Sequence, residues 1–232
     1  MISIIIPVLN EASTIGVILQ DISEKASGNL ISEIIIVDGG SEDTTLEKAS
    51  KFAKVLPLIL LTSQKGRAKQ MNMGAKNAKG EILYFLHADT LLPYHFDSQI
   101  ISHIKKGSIA GCFRMKFDSH HPILKISQWF TKFNLKSCRG GDQSLFISKK
   151  AFENLGGYNE DFTVYEDCEF INRIYDQYRF TIIKDYVITS ARKYHQKGTL
   201  KLQYHFAMIH IKKWLGASPK NLTSYYKKYI LT

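Results

Sequence analysis

The chain has 232 residues, 44% of them hydrophobic and 22% charged, the proportions of a soluble globular protein with one large core. No apolar run approaches the roughly 18 residues that span a bilayer, and the amino terminus enters a strand pattern directly, without a signal-peptide leader. The net charge of +10 points to anionic partners, polyphosphate or an anionic membrane surface; outside the C-terminal region the basic residues lack the interleaved aromatics of a nucleic-acid motif, so nucleic acid is not expected. Cys112, Cys138 and Cys168 are scattered and form no CxxC pair, which argues against a zinc site or a disulfide framework and for reduced thiols in a cytoplasmic protein.

In chain order, residues 2–7 read as a strand stopped by Pro7, and residues 12–24 as a helix with apolar spacing at Ile15, Ile18, Leu19 and Ile22. Residues 33–38 form a second apolar strand pattern ending in Asp38, followed by a Gly39-Gly40 turn and a helix over 44–53. A third strand over 56–61 leads to Gly66 and a helix over 67–78, which Lys79-Gly80 closes. Residues 82–86 are a strand buried on both faces, leading into His87-Ala88-Asp89. The regular β-α-β-α-β-α-β order predicts a parallel sheet with right-handed crossovers. Beyond Pro93 the pattern is a helix to 105, a strand over 109–117 and an amphipathic aromatic stretch over 122–133. A glycine-containing loop at 138–143 leads into a strand over 144–147, then a short helix over 151–155 and a helix from 165 to 177. Strands over 179–184 and 186–191 precede a basic, aromatic helical tail from 199. No repeat or linker divides the chain, which is expected to be one domain over 1–232.

Acids fall at strand ends or loops in three places: Asp38, Asp89 and Glu166-Asp167. In open α/β sheets the carboxyl ends of the strands are where ligands bind, and a carboxylate there can hold a divalent cation or cap the next helix. There is no GxGxxG or Walker A loop, so ordinary dinucleotide binding and P-loop chemistry are poorly supported. Arg67, Gln70 and Gly74 share one helix face; an arginine in a first helical turn opposes the helix dipole, either as a solvated side chain or as part of an anion site.

The segments Ser3 to Glu11, Ile36 to Asp43, Gly66 to Asn72, Leu86 to Thr90 and Tyr165 to Asp167 occur in an order and spacing that resembles family-two glycosyltransferases of the GT-A fold. The closest resemblance is to the radical-SAM/selenodomain-associated branch, and it covers the chain to about Pro219. It implies an α/β GT-A (Rossmann-like) fold, with a mixed, mainly parallel sheet flanked by helices and a helical C-terminal tail. Residues 1–118 would form the nucleotide-sugar-binding half and 119–232 the acceptor-binding and catalytic half. By the same resemblance Pro7, Asn10 and Glu11 line the nucleotide pocket, Asp38 lies near the base or ribose, and Asp89 is the last acid of a DxD-type motif that coordinates Mg2+ or Mn2+. Asp167 becomes the general base with Glu166 beside it, and Gly141, Asp142 and Gln143 face sugar and acceptor. Gly66, Arg67 and Gln70 join the nucleotide-sugar site.

His87 stands where the motif has its first acid, and Gly39 follows Asp38 where many relatives carry a second Asp, so no base preference is assigned. His195 is a candidate distant metal ligand, with Arg192 on a phosphate; a structural hydrogen-bonding role for the histidine is the alternative. The implied activity is inverting transfer of a sugar from a nucleotide-diphosphate donor to an unassigned hydroxyl acceptor. A nucleotidyltransferase and a non-catalytic nucleotide- or membrane-binding module are the alternatives. Trp129, Phe130, Phe206, Trp214, Tyr225 and Tyr226 stand among many lysines, consistent either with plain core packing or with peripheral contact of the basic tail at the inner face of a membrane.

Overall fold

The computed structural model describes residues 1–231. Its first half is the expected alternation: β1 (Ile2–Val8), α1 (Ile15–Lys25), β2 (Ile31–Asp38), α2 (Thr45–Ser50), β3 (Leu58–Thr62), α3 (Arg67–Asn77) and β4 (Ile82–Phe85). There follow β5 (Thr90–Leu91), α4 (Phe96–Lys105), β6 (Ala110–Phe117), α5 (Pro122–Phe130), β7 (Leu145–Ser148), α6 (Lys149–Asn154) and α7 (Glu166–Gln177). Then come β8 (Phe180–Thr189), α8 (Arg192–Lys197), α9 (Thr199–Trp214) and α10 (Pro219–Tyr226), which a wider helical turn continues over Lys227–Leu231. The eight strands among the described residues share one sheet in the order β3-β2-β1-β4-β7-β6-β8-β5. β3, β2, β1 and β4 are mutually parallel, β7 runs antiparallel to β4 and β6, β8 is parallel to β6, and β5 is antiparallel to β8.

Alternation along β1 sets the two core layers. Ile2, Ile4, Ile6 and Val8 pack with Ile15, Ile18, Leu19 and Ile22 of α1, while Ile5 faces Ala68, Met71 and Ala75 of α3 on the other side. Gly74 lets α3 lie close to the sheet, because a Cβ there would come within 2.5 Å of Ile5 Cγ2. The spacing that joins Arg67, Gln70 and Gly74 is therefore mostly a sheet-facing one. In register, Val8 pairs Asp38 and Asp38 pairs Thr62, so the carboxyl ends of the parallel strands open on one edge.

Three elements differ from the sequence reading. Residues 179–191 are not two strands: β8 runs unbroken through Lys184 and Asp185, which bulge out between the Phe113–Ile183 and Arg114–Tyr186 pairs. β5 and α8 were not foreseen: two residues are too few for periodicity to register, and residues 192–197, Arg-Lys-Tyr-His-Gln-Lys, carry no apolar spacing. In the tail, Leu202, Ile209, Leu222 and Ile230 are buried, and Phe206, Tyr225 and Tyr226 pack against the same core, whereas Trp214 is 85% exposed. Among the described residues no helix is long and apolar enough to cross a membrane.

One buried carboxylate ties the amino-terminal edge of the sheet. Glu33 accepts from the Ser3 hydroxyl and from the Lys79 backbone N–H at 2.8 Å, and the Gly80 N–H donates to Ser3 Oγ at 2.8 Å. Burial raises the Glu33 carboxyl, but these hydrogen bonds outweigh it and hold the group below its ordinary value. A depressed carboxyl contributes stability above its unfolded pKa and loses that contribution as pH falls through the folded value. Glu33→Ala should therefore cost about 1–3 kcal/mol at neutral pH by urea denaturation. The gap to the parent should close as the solution is acidified; a gap independent of pH would contradict the account.

Candidate functional site

At the open edge the chain closes two turns with its own polar groups. The Asp38 carboxylate accepts from the Gly40 N–H at 3.0 Å, the Ser41 N–H at 3.0 Å and the Ser41 hydroxyl, and is 2% exposed. Asn10, at φ 55°, accepts from the Glu42 N–H at 2.8 Å, while its own N–H donates to Ser41 Oγ at 2.8 Å. Gln70 reaches under this turn to donate to the carbonyls of Val8 at 2.7 Å and Val37 at 2.8 Å, joining the ends of β1 and β2. Glu11 accepts from Thr14 Oγ1 at 2.8 Å and from Arg192 at 3.2 Å, which anchors α8 to the loop after β1.

Beside these turns lies a cleft of about 550 Å³. Tyr165, at φ 74°, turns the chain so that Glu166 and Asp167 begin α7, where the helix dipole favours carboxylates. Arg67, in the first turn of α3, lies 3.3 Å from Glu166 Oε1 and 3.6 Å from Asp167 Oδ2. Burial works against the guanidinium charge, but Glu166, Asp167 and Asp142 outweigh it and hold Arg67 above its usual value. Glu166 is 4% exposed; burial lifts its carboxyl to about 7, with Arg67 pulling it down and Asp167 pushing it up.

His87 takes a place among these acids. Its Nδ1 is 3.5 Å from Asp142 Oδ1 and its Nε2 is 3.8 Å from Asp167 Oδ2. Desolvation would raise Asp142, yet the hydrogen bond and charge of His87, with Lys193 and Arg67, push it down to about 2. Gly141 is needed for this contact: a Cβ there would fall 1.9 Å from Asp167 Oδ2 and 3.0 Å from His87 Cε1. Gln143 turns the other way, into the loop, where it donates to the Cys138 carbonyl at 2.7 Å and accepts from the buried Arg139. Arg139 also donates to the carbonyls of Thr131 at 2.8 Å and Phe133.

Asp89 lines the same cleft, and its carboxylate makes no hydrogen bond or ion pair among the described residues; its backbone carbonyl accepts from the Ser190 N–H at 3.1 Å. Pro7, Glu11, Gly66, Arg67, Gln70, Asp89, Gly141, Asp142, Glu166 and Asp167 thus share one cavity wall. Asn10, Asp38, Gln143, Arg192 and His195 do not line it: the first four are occupied in the turns, loop and ion pair just described, and His195 is an exposed side chain of α8. Sequence reading missed Lys65, Lys193, Tyr194, His210 and Tyr226, which complete the wall together with Leu202, Phe206 and Ile209 of α9. For His210 and Tyr226 the signal was the basic, aromatic character of the tail; Lys65, Lys193 and Tyr194 lie outside it and carried none. No group of three or more His, Cys, Asp and Glu side chains suited to a metal ion occurs among the described residues. An unpaired carboxylate does fit Mg2+ or Mn2+ where a diphosphate supplies further oxygens, since such ions are commonly held by one or two carboxylates plus substrate phosphates.

The model of Glycosyl transferase family 2 matches residues 3–152. A PGL/p-HBAD biosynthesis glycosyltransferase of Mycobacterium bovis is 29% identical over 211 residues, covering 86% of this chain and 78% of its own length. A dolichol-phosphate mannosyltransferase of Pyrococcus furiosus is 32% identical over 109 residues, 46% of this chain and 31% of its own. Among solved structures, S. aureus TarS 1-349 in complex with UDP-GlcNAc superposes with a TM-score of 0.70 at 19% identity, over 82% of this chain and 58% of that one. Mannosyltransferase PcManGT from Pyrobaculum calidifontis, in complex with GDP-Man and Mn2+, gives 0.71 at 19% identity, over 97% and 69%. These likenesses identify the GT-A fold. With the family match spanning more than half its residues, the chain belongs to glycosyl transferase family 2 and is a glycosyltransferase.

Proposed function

We propose that the chain is an inverting, metal-dependent glycosyltransferase that moves a sugar from a nucleotide-diphosphate donor to a hydroxyl acceptor. The observation that carries the reading is the placement of Glu166 and Asp167 in the same cleft as the unpaired Asp89 and the cationic Arg67. Residues 1–118 serve the donor and 119–232 the acceptor, with Lys193 reaching the donor side from the second half, and the motif pattern supports the radical-SAM/selenodomain-associated branch. Arg67 and Lys193 supply positive charge for the diphosphate, and Glu11, Gly66 and Pro7 bound the nucleotide side. Asp89 and the donor's phosphate oxygens would hold Mg2+ or Mn2+, which neutralises charge on the leaving diphosphate. Gly141 and Asp142 border the sugar.

Asp167 takes the proton of the acceptor hydroxyl, and the freed oxygen attacks the anomeric carbon from the face opposite the diphosphate. One displacement inverts that centre. His87 supplies no second carboxylate; it stands beside Asp142 and Asp167 and draws Asp142 into its ionised form. Arg67 Nη1 lies 3.3 Å from Glu166 and 3.6 Å from Asp167, and Glu166, with its raised pKa, limits how much negative charge the two acids carry near neutrality.

Three outcomes test the reading. In a thermal-shift panel of nucleoside diphosphates, Mn2+ should be required for stabilisation, and Asp89→Ala should abolish the metal requirement's benefit; unchanged metal-dependent binding would remove Asp89 from the site. Asp167→Asn should keep donor binding while turnover falls by about 10²–10⁴; retained turnover would assign the proton elsewhere. For Glu166 the sign is opposite to the usual carboxylate: because its folded pKa exceeds the unfolded one, stability falls as pH rises from the ordinary carboxyl range to about 7. Glu166→Gln should accordingly raise the unfolding free energy above pH 7 by up to about 3 kcal/mol and flatten its slope between those limits. A parent profile with no decline there would refute the raised pKa.

A further inference from the structure

α5 is packed the wrong way round for a core helix. Its inward side carries Leu124, fully buried, together with Gln128 and Thr131 just past its end, whose side chains accept from the backbone N–H groups of Phe117 at 3.1 Å and Met115 at 3.2 Å on β6. Ile126, Trp129, Phe130 and Phe133 repeat at i, i+3, i+4 and i+7, the spacing that ordinarily faces a core, yet they point outward at 58%, 49%, 46% and 40% exposure. The three rings form their own cluster, with Trp129 centred 4.8 Å from Phe133 and 5.3 Å from Phe130. Contiguous aromatic surface of this kind, left to water, marks a docking site.

Charge identifies what docks. Between Ser119 and Gly141 there is no acid, and Lys125 and Lys132, exposed beside the rings, make no ion pair among the described residues. Beyond Asp185 the chain carries nine Lys and Arg and no Asp or Glu, so nearly all of the +10 net charge lies in the segment that includes α9. α9 is the helix next to α5, joined to it by the hydrogen bond from Gln203 to Ser127 at 3.4 Å, and Leu200, on the same side of α9 one turn earlier, is 70% exposed. An amphipathic helix with Trp and Phe on one face and lysines at its flanks, on a basic support, matches the chemistry of a bilayer interface carrying anionic headgroups.

We infer that the outward face of α5, formed by Ile126, Trp129 and Phe130, together with Phe133 just past its end, docks this enzyme onto an anionic membrane surface. The basic C-terminal helices contribute long-range attraction, and the α5 rings contribute insertion. The aromatic residues of the tail are in large part core, so the insertion element lies upstream of it.

The test uses flotation of the full chain with vesicles of phosphatidylcholine alone and of phosphatidylcholine mixed with phosphatidylglycerol. The chain should float with the mixed vesicles only, and in a Trp214→Phe background the remaining Trp129 should shift its emission to the blue on binding. Trp129→Ser/Phe130→Ser should weaken vesicle partitioning by about tenfold or more, since two half-exposed rings no longer leave water. Its thermal midpoint and donor-induced thermal shift should match the parent, because neither residue lines the cleft. Three results would each overturn the proposal: full binding by the double variant, equal binding to neutral vesicles, or no vesicle binding accompanied by a concentration-dependent dimer that the double variant abolishes. Donor binding is read without vesicles, so failure of docking and failure of the glycosyl-transfer reading are separately visible.

Discussion

The arrangement of the site depends on how three carboxylates are kept together in one partly closed cleft. Asp142, Glu166 and Asp167 converge there with only Arg67 and His87 in direct contact, and Lys193 further off. Glu166 and Asp167 are buried while Asp142 is exposed; like charges out of water repel strongly, and the chain manages this by several means at once. Glu166 holds its proton into the neutral range; Asp142, against His87, gives its proton up far more easily. The first turn of α7 presents its unpaired N–H groups to the pair it carries. Arg67 opposes the dipole of its own helix, and its place is explained by the acids of another helix across the cleft.

That cluster needs a fixed frame, and the sheet provides it. Parallel strands β1, β2 and β4 point their carboxyl ends to one edge, so Asp38 at the end of β2 and the loops carrying Glu11 and Asp89 lie on that side of the sheet. The antiparallel return of β7 brings Gly141 and Asp142 to the same edge from the second half of the chain. Gln70 fastens two of the strand ends, and Gly141 and Gly74 permit approaches that any side chain would block. The glycines of this site act mainly by the space they leave.

Much of this was legible in the sequence because it is local. Apolar runs punctuated by Gly and Pro mark each β-α unit of the first half, and an acid at a strand end is brought to the open edge by topology alone. What local pattern does not fix is the direction a side chain takes. Asp38 and Asn10 sit at the right edge but close their own turn, and Gln143 folds back onto Arg139 although its neighbour Asp142 faces the cleft. Lys184 and Asp185 look like a break between strands, since a bulge and a break have the same polar composition. For α5 the stripe at 126, 129, 130 and 133 reads identically whether it faces inward or outward. The decision comes from β6, whose N–H groups at Met115 and Phe117 require Thr131 and Gln128.

The same polar requirement connects α5 to the chemistry. Arg139 is buried and gives hydrogen bonds to the carbonyls of Thr131 and Phe133, to Gln143 and to the sulfur of Cys112 at 3.3 Å. It thereby fastens the end of the aromatic segment to the loop that sets Gly141 and Asp142 against Asp167 and His87. A guanidinium with several fixed partners in a buried site holds orientation more firmly than an aliphatic contact, because each broken bond would strand a polar group. The outward rings and Asp142 are therefore tied together within the fourteen residues 129–142, with the basic α9 alongside.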